Sequence, residues 1–136
     1  MTQECTLVYE LELPIPFTCA DNTGIAKGAI LKLTDPMTAS LANGDADFVA
    51  GIAAEEKIAS DGKTKIAVYR RGIFKGYANG AIAVGVAINT YNGTGDDNDI
   101  YTAAAGHDKQ MGTSLETAGN DETFLFELCP THRDEA

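Results

Sequence analysis

The 136-residue sequence has no tryptophan, only two histidines and no long apolar run. A membrane-spanning helix needs about 18 or more consecutive apolar residues, and no window of this chain approaches that length. The opening residues, MTQECTLVYELELP, also lack the basic start and the apolar centre of a secretory signal peptide. We therefore expect neither a signal peptide nor a membrane as partner.

Basic residues are scarce, with 10 Lys and Arg against 20 Asp and Glu and a formal net charge of −10 at pH 7. Proteins that bind nucleic acids need clustered Lys and Arg to neutralise phosphates. Here the only basic pair, Arg70–Arg71, lies in a strand-like context. The charge argues against a nucleic-acid partner and is typical of a surface that remains in water or meets a basic partner.

Cysteines are also few: the three are an odd, widely spaced number, which favours reduced thiols in a protein made in a cytosol over a disulfide framework. The terminal Cys-x-x-His spacing could join the other two cysteines in a zinc set, but the paired Cys-x-x-Cys spacing of a strong zinc signature is absent. We predict no metal site and no Cys–His catalysis. The residues of this discounted set are Cys5, Cys19, Cys129 and His132.

No other motif carries chemistry. The loop GTGDDNDI contains Asp96, Asp97, Asn98 and Asp99, but it lacks the alternating acidic register of a calcium loop, so a solvated loop is the simpler interpretation. Neither a phosphate-binding glycine loop nor a Gly-x-Ser-x-Gly nucleophile elbow is present. We predict that the chain is not an enzyme and has no cofactor.

Period-two alternation predicts strands through most of the chain. TLVYELELP places four large side chains on one face, TFLFEL turns Phe124, Phe126 and Leu128 inward, and AIAVGVAINTY aligns the face from Ile82 to Ile88. Turn signals separate the strands, so we expect one compact all-β domain, a β-barrel or β-sandwich with at most short helices. The face predicted near the N-terminus comprises Leu7, Tyr9, Leu11 and Leu13.

Two details stay open in this pattern. KTKIAVYRRGIFKGYA is one long strand or two strands broken at Gly72 by a bulge or corner. Asp35 followed by Pro36 ends a strand, or alternatively begins a short helix through Ala42.

One pattern occurs twice, in residues 51–72 and in residues 112–128. Each copy opens with a glycine, continues through acidic residues and a polar turn, and ends in an apolar strand. We interpret the copies as two hairpin-like units whose apolar strands lie in one core, without claiming a tandem repeat, because the residues themselves do not match.

Taken in order, the segments GAILKLTD, FVAGIAAEE, KIAVYRRGIFKGYANGAIAVGVAINTY, DKQMGTSLETA and ETFLFELCP resemble the capsid decoration (cement) proteins of tailed phages over residues 27–129. Val86 departs from the pattern, because many relatives place an acidic residue after the glycine. The resemblance implies a β-barrel-like fold, no enzymatic activity, and a virion protein made in the host cytoplasm. It would sit on the capsid exterior as a homotrimer or other cluster and bridge major capsid protein subunits of the expanded head.

This resemblance suggests a layout of an N-terminal arm or edge strand at 1–16, a β-barrel-like decoration domain at 17–130 and a polar tail at 131–136. The predicted binding face, from Leu7 to Leu13, would add a strand to the capsid or to a neighbouring subunit, or it is an ordinary edge strand of its own barrel. The alternative function is a small carbohydrate-binding module, whose only loop-side aromatic candidates are Tyr77, Tyr91 and Tyr101.

Overall fold

The computed structural model describes residues 3–42, 48–91, 98–102 and 109–132, and within these ranges the chain forms eleven strands and no helix. The all-β prediction is confirmed. The strands are β1 Thr6–Glu10, β2 Ile15–Thr18, β3 Ile30–Asp35, β4 Thr38–Leu41, β5 Val49–Ala53, β6 Lys65–Tyr69, β7 Gly72–Tyr77, β8 Ala87–Tyr91, β9 Asp99–Thr102, β10 Lys109–Ser114 and β11 Thr123–His132.

The strands form two units that follow each other along the chain. Strands β2 to β6 close into a barrel in the order β2-β4-β3-β5-β6, which we call the first unit. Strands β7 to β11 form the second unit, a sheet in the order β7-β11-β10-β8-β9, and β1 adds a sixth strand beside β7. The chain passes from one unit to the other at the bend Arg70–Arg71, so the long basic segment is two strands with a corner just before Gly72.

The two units have the same strand arrangement. In each unit, counted in chain order, the third strand pairs with the second, and the fourth and fifth strands follow on the other side of the second strand. The barrel of the first unit closes through a parallel contact between Thr18 of β2 and Thr38 of β4. At the corresponding place in the second unit, Ala78 and Ile100 form an isolated parallel bridge. The fold is therefore an internal repeat.

In both units the start of the repeated pattern is hydrogen-bonded to an earlier turn of the chain, and together they form the same backbone arrangement, which we call the corner. Gly28 donates its N–H to the carbonyl of Ala53 at 2.9 Å, and Gly85 donates to Ser114 at the same distance. Both glycines have positive φ, 91° and 81°, a conformation that side chains with a Cβ rarely adopt. Isolated antiparallel bridges, Ile25 with Lys57 and Ile82 with Ala118, continue the equivalence.

Each corner also uses one glutamate to complete a backbone ladder. Ala54 donates to the carbonyl of Ala67, whose own N–H donates to Oε1 of Glu55 at 3.1 Å. In the second unit Leu115 donates to Leu125, whose N–H donates to Oε1 of Glu116 at 2.9 Å. The acidic residues of the repeated pattern therefore satisfy strand N–H groups that would otherwise lack an acceptor.

The apolar strands of the two units lie in two cores, so the prediction of one shared core is wrong. Ile66 and Val68 of β6 pack in the core of the first unit, whereas the inward side chains of β11 pack in the second. Strand β5 separates the cores: Ile52 joins the second core, Ala53 joins the first, and every residue from Val49 to Ala53 is buried. The inward face of β11 is confirmed, with Phe124, Phe126 and Leu128 fully buried.

Of the two alternatives at Asp35–Pro36, the strand end is confirmed, because β3 ends at Asp35. Residues 38–41 form β4 and not a short helix, because they pair with β3 and complete the barrel of the first unit. One other local prediction is wrong. The continuous strand predicted from Ile82 to Ile88 is interrupted by a turn at Val84–Gly85, and β8 begins only at Ala87. Ile82 and Ile88 are buried as the alternation predicts, but the turn leaves Val84 60% exposed.

On its side away from β6, β2 pairs with β4 at Thr18 and carries Pro16 ahead of that contact. Pro16 lies opposite Ala67 of β6, and the Ala67 carbonyl accepts from β5, so the peptide groups of Pro16 face away from β6. A proline there removes the N–H that an added strand would need. In the second unit, the corresponding edge of β7 is covered by β1. The two units thus protect equivalent edges by different means.

Lys57 is a buried cation that fastens the turn after the first corner. Its Nζ donates to the carbonyl oxygens of Asp21 and Ile58 at 2.8 and 3.1 Å and to Oδ1 of Asp61 at 3.1 Å. Burial disfavours the charged form, but the hydrogen bonds and charges of Asp61 and Asp21 outweigh it and raise the pKa of Lys57. In the second unit Ala118 occupies the position that corresponds to Lys57, so the lysine hydrogen bonds of the first unit have no counterpart there.

Gly112 provides a test of the close crossing of strands in the second unit. A Cβ at this position would overlap the carbonyl oxygen of Glu127, so we expect Gly112→Ala to lower the free energy of unfolding by about 3 kcal/mol. Gly24→Ala is the matched control, because its added Cβ would meet nothing nearer than 3.5 Å. Urea denaturation measures both, and equal stabilities for the two variants would contradict the crossing.

The two glutamates test the equivalence of the corners. Glu55→Ala and Glu116→Ala each leave one strand N–H without its acceptor, so each should lower the free energy of unfolding by about 1 kcal/mol. Because the corners lie in different units, the double variant should show the sum. Glu56→Ala serves as control, and a loss confined to one of the two glutamates would argue against equivalent roles.

Candidate functional site

The N-terminal strand β1 is the edge of the second sheet and pairs antiparallel with β7. Its register shifts between Leu7 and Tyr9, which leaves Val8 as an extra residue in the strand. Leu7 lies opposite the buried Phe74 and packs against the second core, whereas Tyr9 lies opposite Ile73 and is 62% exposed. The prediction of one continuous face is therefore wrong, because the bulge reverses the alternation after Leu7.

Beyond β1 the chain bends and presents apolar side chains to solvent. Leu11 and Leu13 are 49% and 75% exposed, and Ile15 at the start of β2 is 40% exposed. Between the leucines, Glu12 lies 3.9 Å from the guanidinium of Arg71, in an exposed ion pair that contributes little. Together with Tyr9 these residues form an uncovered apolar segment, which we call the N-terminal apolar segment: Tyr9, Leu11, Leu13 and Ile15.

Asn98 anchors the beginning of the chain. Its side-chain amide donates to the carbonyls of Gln3 and Gly28 at 3.0 and 3.1 Å, and its Oδ1 accepts from the N–H of Ile30 at 2.7 Å. Cys5 adds a main-chain bond by donating its N–H to Gly28 at 2.9 Å. Asn98, which directly precedes β9, therefore holds the N-terminal residues against the first unit.

The cysteines of the discounted zinc set lie apart. Cys5 packs in the second core and Cys19 in the first, Cys129 is half-buried in β11, and the side chain of His132 lies outside the described residues. In the described part of the chain, no three metal-ligating side chains come together. Burial raises the pKa of Cys5 to about 12 and also raises that of Cys19, so both are poor ligands and nucleophiles.

The acidic loop is described only at its end, since Asp96 and Asp97 lie outside the described residues. The side chain of Asn98 makes the hydrogen bonds with Gln3, Gly28 and Ile30 described above. Asp99 is buried and accepts a hydrogen bond from the side-chain amide of Asn79 at 3.2 Å. Sequence reasoning missed the role of Asn98 because nothing in the run of acidic and amide residues distinguishes it. Only the meeting of residues 3–5, 28–30 and 98 in space reveals it.

The tyrosines considered for sugar binding are strand residues. Tyr77 ends β7, Tyr101 lies in β9, and both are half-buried. Tyr91 ends β8, and its side chain lies outside the described residues. Tyr77 and Tyr101 therefore lie in strands, and the prediction that they lie on loops is wrong. Within the same described ranges, no helix is long and apolar enough to cross a membrane.

Comparison with known proteins shows the family to which the chain belongs. A family model described as Phage cement protein matches residues 11–128 of the chain. The chain belongs to this family, as the resemblance predicted. A search of curated proteins finds no match. Membership in the family gives the protein a structural role in association with the phage capsid and places it on the virion.

Thiol labelling tests the burial of the cysteines. With a disulfide reagent at pH 8 the folded protein should show one accessible thiol, that of the half-buried Cys129, whereas Cys5 and Cys19 should react only after unfolding. The Cys129→Ser variant should lose the native signal. Loss of that signal in Cys5→Ser instead would contradict the packing of Cys5.

Asn98→Asp tests the anchor with an isosteric side chain. The variant loses the hydrogen bonds that the Asn98 amide donates to Gln3, Gly28 and Cys5 Sγ and brings a carboxylate against two carbonyl oxygens. The Cys5 amide should therefore exchange hydrogen at least about tenfold faster. The core amide of Phe126 is the internal control and should keep its protection. Unchanged exchange at Cys5 would show that Asn98 does not hold the N-terminal residues.

Proposed function

We propose that the protein binds the exterior of the expanded phage head and stabilises it by bridging major capsid protein subunits. The observation that supports this best is the N-terminal apolar segment, an uncovered stretch at one edge of a member of the cement protein family. Four large exposed apolar side chains at alternate positions of one short stretch are costly to leave in water, so burying them against a shell subunit would provide much of the binding free energy.

The position of the segment is suited to such contacts. Among the described strands, β1 has one neighbour, β7, so its other edge can pair with a strand of the shell through main-chain hydrogen bonds. The two closely packed units behind it form the body that carries the segment. In this proposal the exposed side chains within residues 1–16 make the contact and residues 17–130 form the body. Both bounds fall inside strands, since β2 begins at Ile15 and β11 continues to His132, so the body includes these strands whole.

Multiple copies would strengthen a contact that is modest by itself. We propose that the protein is made in the host cytoplasm and assembles as a homotrimer on the shell, where three simultaneous contacts raise the overall affinity far above that of one. The net charge of −10 keeps unbound copies from associating unspecifically.

The apolar contact can be tested with undecorated expanded heads of the phage that encodes the chain. The triple variant Tyr9→Ser, Leu11→Ser and Leu13→Ser changes only exposed side chains, so it should keep its thermal stability and lose at least about 100-fold in affinity for heads. Sedimentation of heads with labelled protein measures the binding.

Two variants complete that experiment. Val84→Ser removes an equally exposed side chain on the second unit and should bind like the wild type. Leu7→Ser should instead lower stability, because Leu7 packs against the second core. Full binding by the triple variant would exclude the N-terminal apolar segment as the contact, and no binding by the wild type would exclude the function.

A further inference from the structure

A cleft of about 510 Å³ lies between the N-terminal residues and the first unit. One wall is formed by residues 4–7 and the other by the corner residues 26–27 together with Glu56 and Tyr69. The Tyr69 ring is held edge-on against Phe74 at a centroid distance of 5.7 Å, which makes that wall rigid. The cleft is large enough for several residues of an extended chain.

One wall of the cleft is a strand edge. Cys5 directs its N–H away from β7, toward Gly28, and peptide groups in a strand point the same way at every second residue. The N–H of Leu7, two residues later, therefore faces the cleft. An occupant in extended conformation would meet main-chain hydrogen-bonding groups there in addition to side chains.

The rim of the cleft is charged. Two carboxylates, Glu4 and Glu56, and one cation, Lys27, line the cleft. Both Lys27 and Glu56 are exposed, and neither is part of an ion pair with another described residue. Two carboxylates against one ammonium, in a chain with a net charge of −10, attract a basic occupant.

The internal repeat shows that the fold does not require these charges. The residues that correspond to Lys27 and Glu56 in the second corner are Val84 and Thr117, which are joined by a 3.2 Å hydrogen bond from the Val84 N–H to Thr117 Oγ1. That corner has the same backbone hydrogen bonds with uncharged side chains. The charges at the first corner are therefore free to serve recognition.

We propose that this cleft receives an extended segment of the major capsid protein carrying Lys or Arg, which adds to the edge of β1 and places its basic side chain between Glu4 and Glu56. The identity of the partner rests on the proposed function. The basic, extended character of the segment rests on the cleft alone.

The first experiment uses the isolated protein and two peptide probes, an acetylated and amidated Val-Lys-Val-Lys-Val and its Glu counterpart. At about 1 mM peptide, NMR should show shifts of the Leu7 and Lys27 amides with the Lys peptide and none with the Glu peptide. Glu4→Gln with Glu56→Gln should weaken the Lys peptide about fivefold, and Lys27→Gln should tighten it about threefold.

A control variant, Asp35→Asn with Asp121→Asn, removes the same charge elsewhere. Asp35 ends β3, away from the corner, and Asp121 lies in a turn of the second unit. It should bind the Lys peptide within about twofold of the wild type. Equal shifts with both peptides, no shift at Leu7 or Lys27, or equal weakening by control and cleft variants would overturn the cleft as a site for basic segments.

The second experiment identifies the partner. Undecorated expanded heads should bind the cleft variant about fivefold more weakly than the control variant. Heads that bind the wild type but do not distinguish the two variants overturn the capsid segment as occupant and leave the proposed function standing. Heads that do not bind the wild type overturn the proposed function, while the peptide titration still decides the chemistry of the cleft. A concentration-dependent dimer that shifts the same amides would make a second copy the occupant and overturn the proposal.

Discussion

The structure depends on a close crossing of two strands that occurs once in each unit. Gly51 lies against the carbonyl of Tyr69 and Gly112 against the carbonyl of Glu127, at separations that leave no room for a Cβ. The crossing places each corner beside the next strand of its unit. There Glu55 accepts a hydrogen bond from the N–H of Ala67 in β6, and Glu116 accepts one from Leu125 in β11. Because the close approach is backbone against backbone, side chains cannot relieve it, and both units retain glycine at the crossing.

Around this constraint the two units have diverged. The first carries a buried lysine in its turn, a proline-bearing edge and charged residues at its outer corner. The second has alanine, a covering strand and uncharged residues at the corresponding places. Features shared by both units belong to the requirements of the fold. Features found in one unit only, above all the cleft beside β1, are those that recognition of a partner can use.

Particular residues show how far the pattern of the sequence reaches. The inward face of β11 follows from alternation alone, because a strand buried on one side must alternate. The same rule fails at β1, where one extra residue separates the orientation of Leu7 from that of Tyr9. It also fails at Gly85, whose positive φ forms a turn inside an apolar run that alternation alone extends as one strand. Bulges and turns of this kind depend on contacts with strands that are distant along the chain.

The amino-acid sequence by itself determined the all-β class, the duplicated corner pattern and the family, because alternation, turn residues and the order of small residues are local properties. Only the tertiary structure decided that the duplicated apolar strands lie in two cores with β5 between them, and that Asn98 joins the N-terminal residues to the first unit. The physical reason is distance along the chain. Asn98 and Gln3 are 95 residues apart, and the contact between them depends on how both units pack.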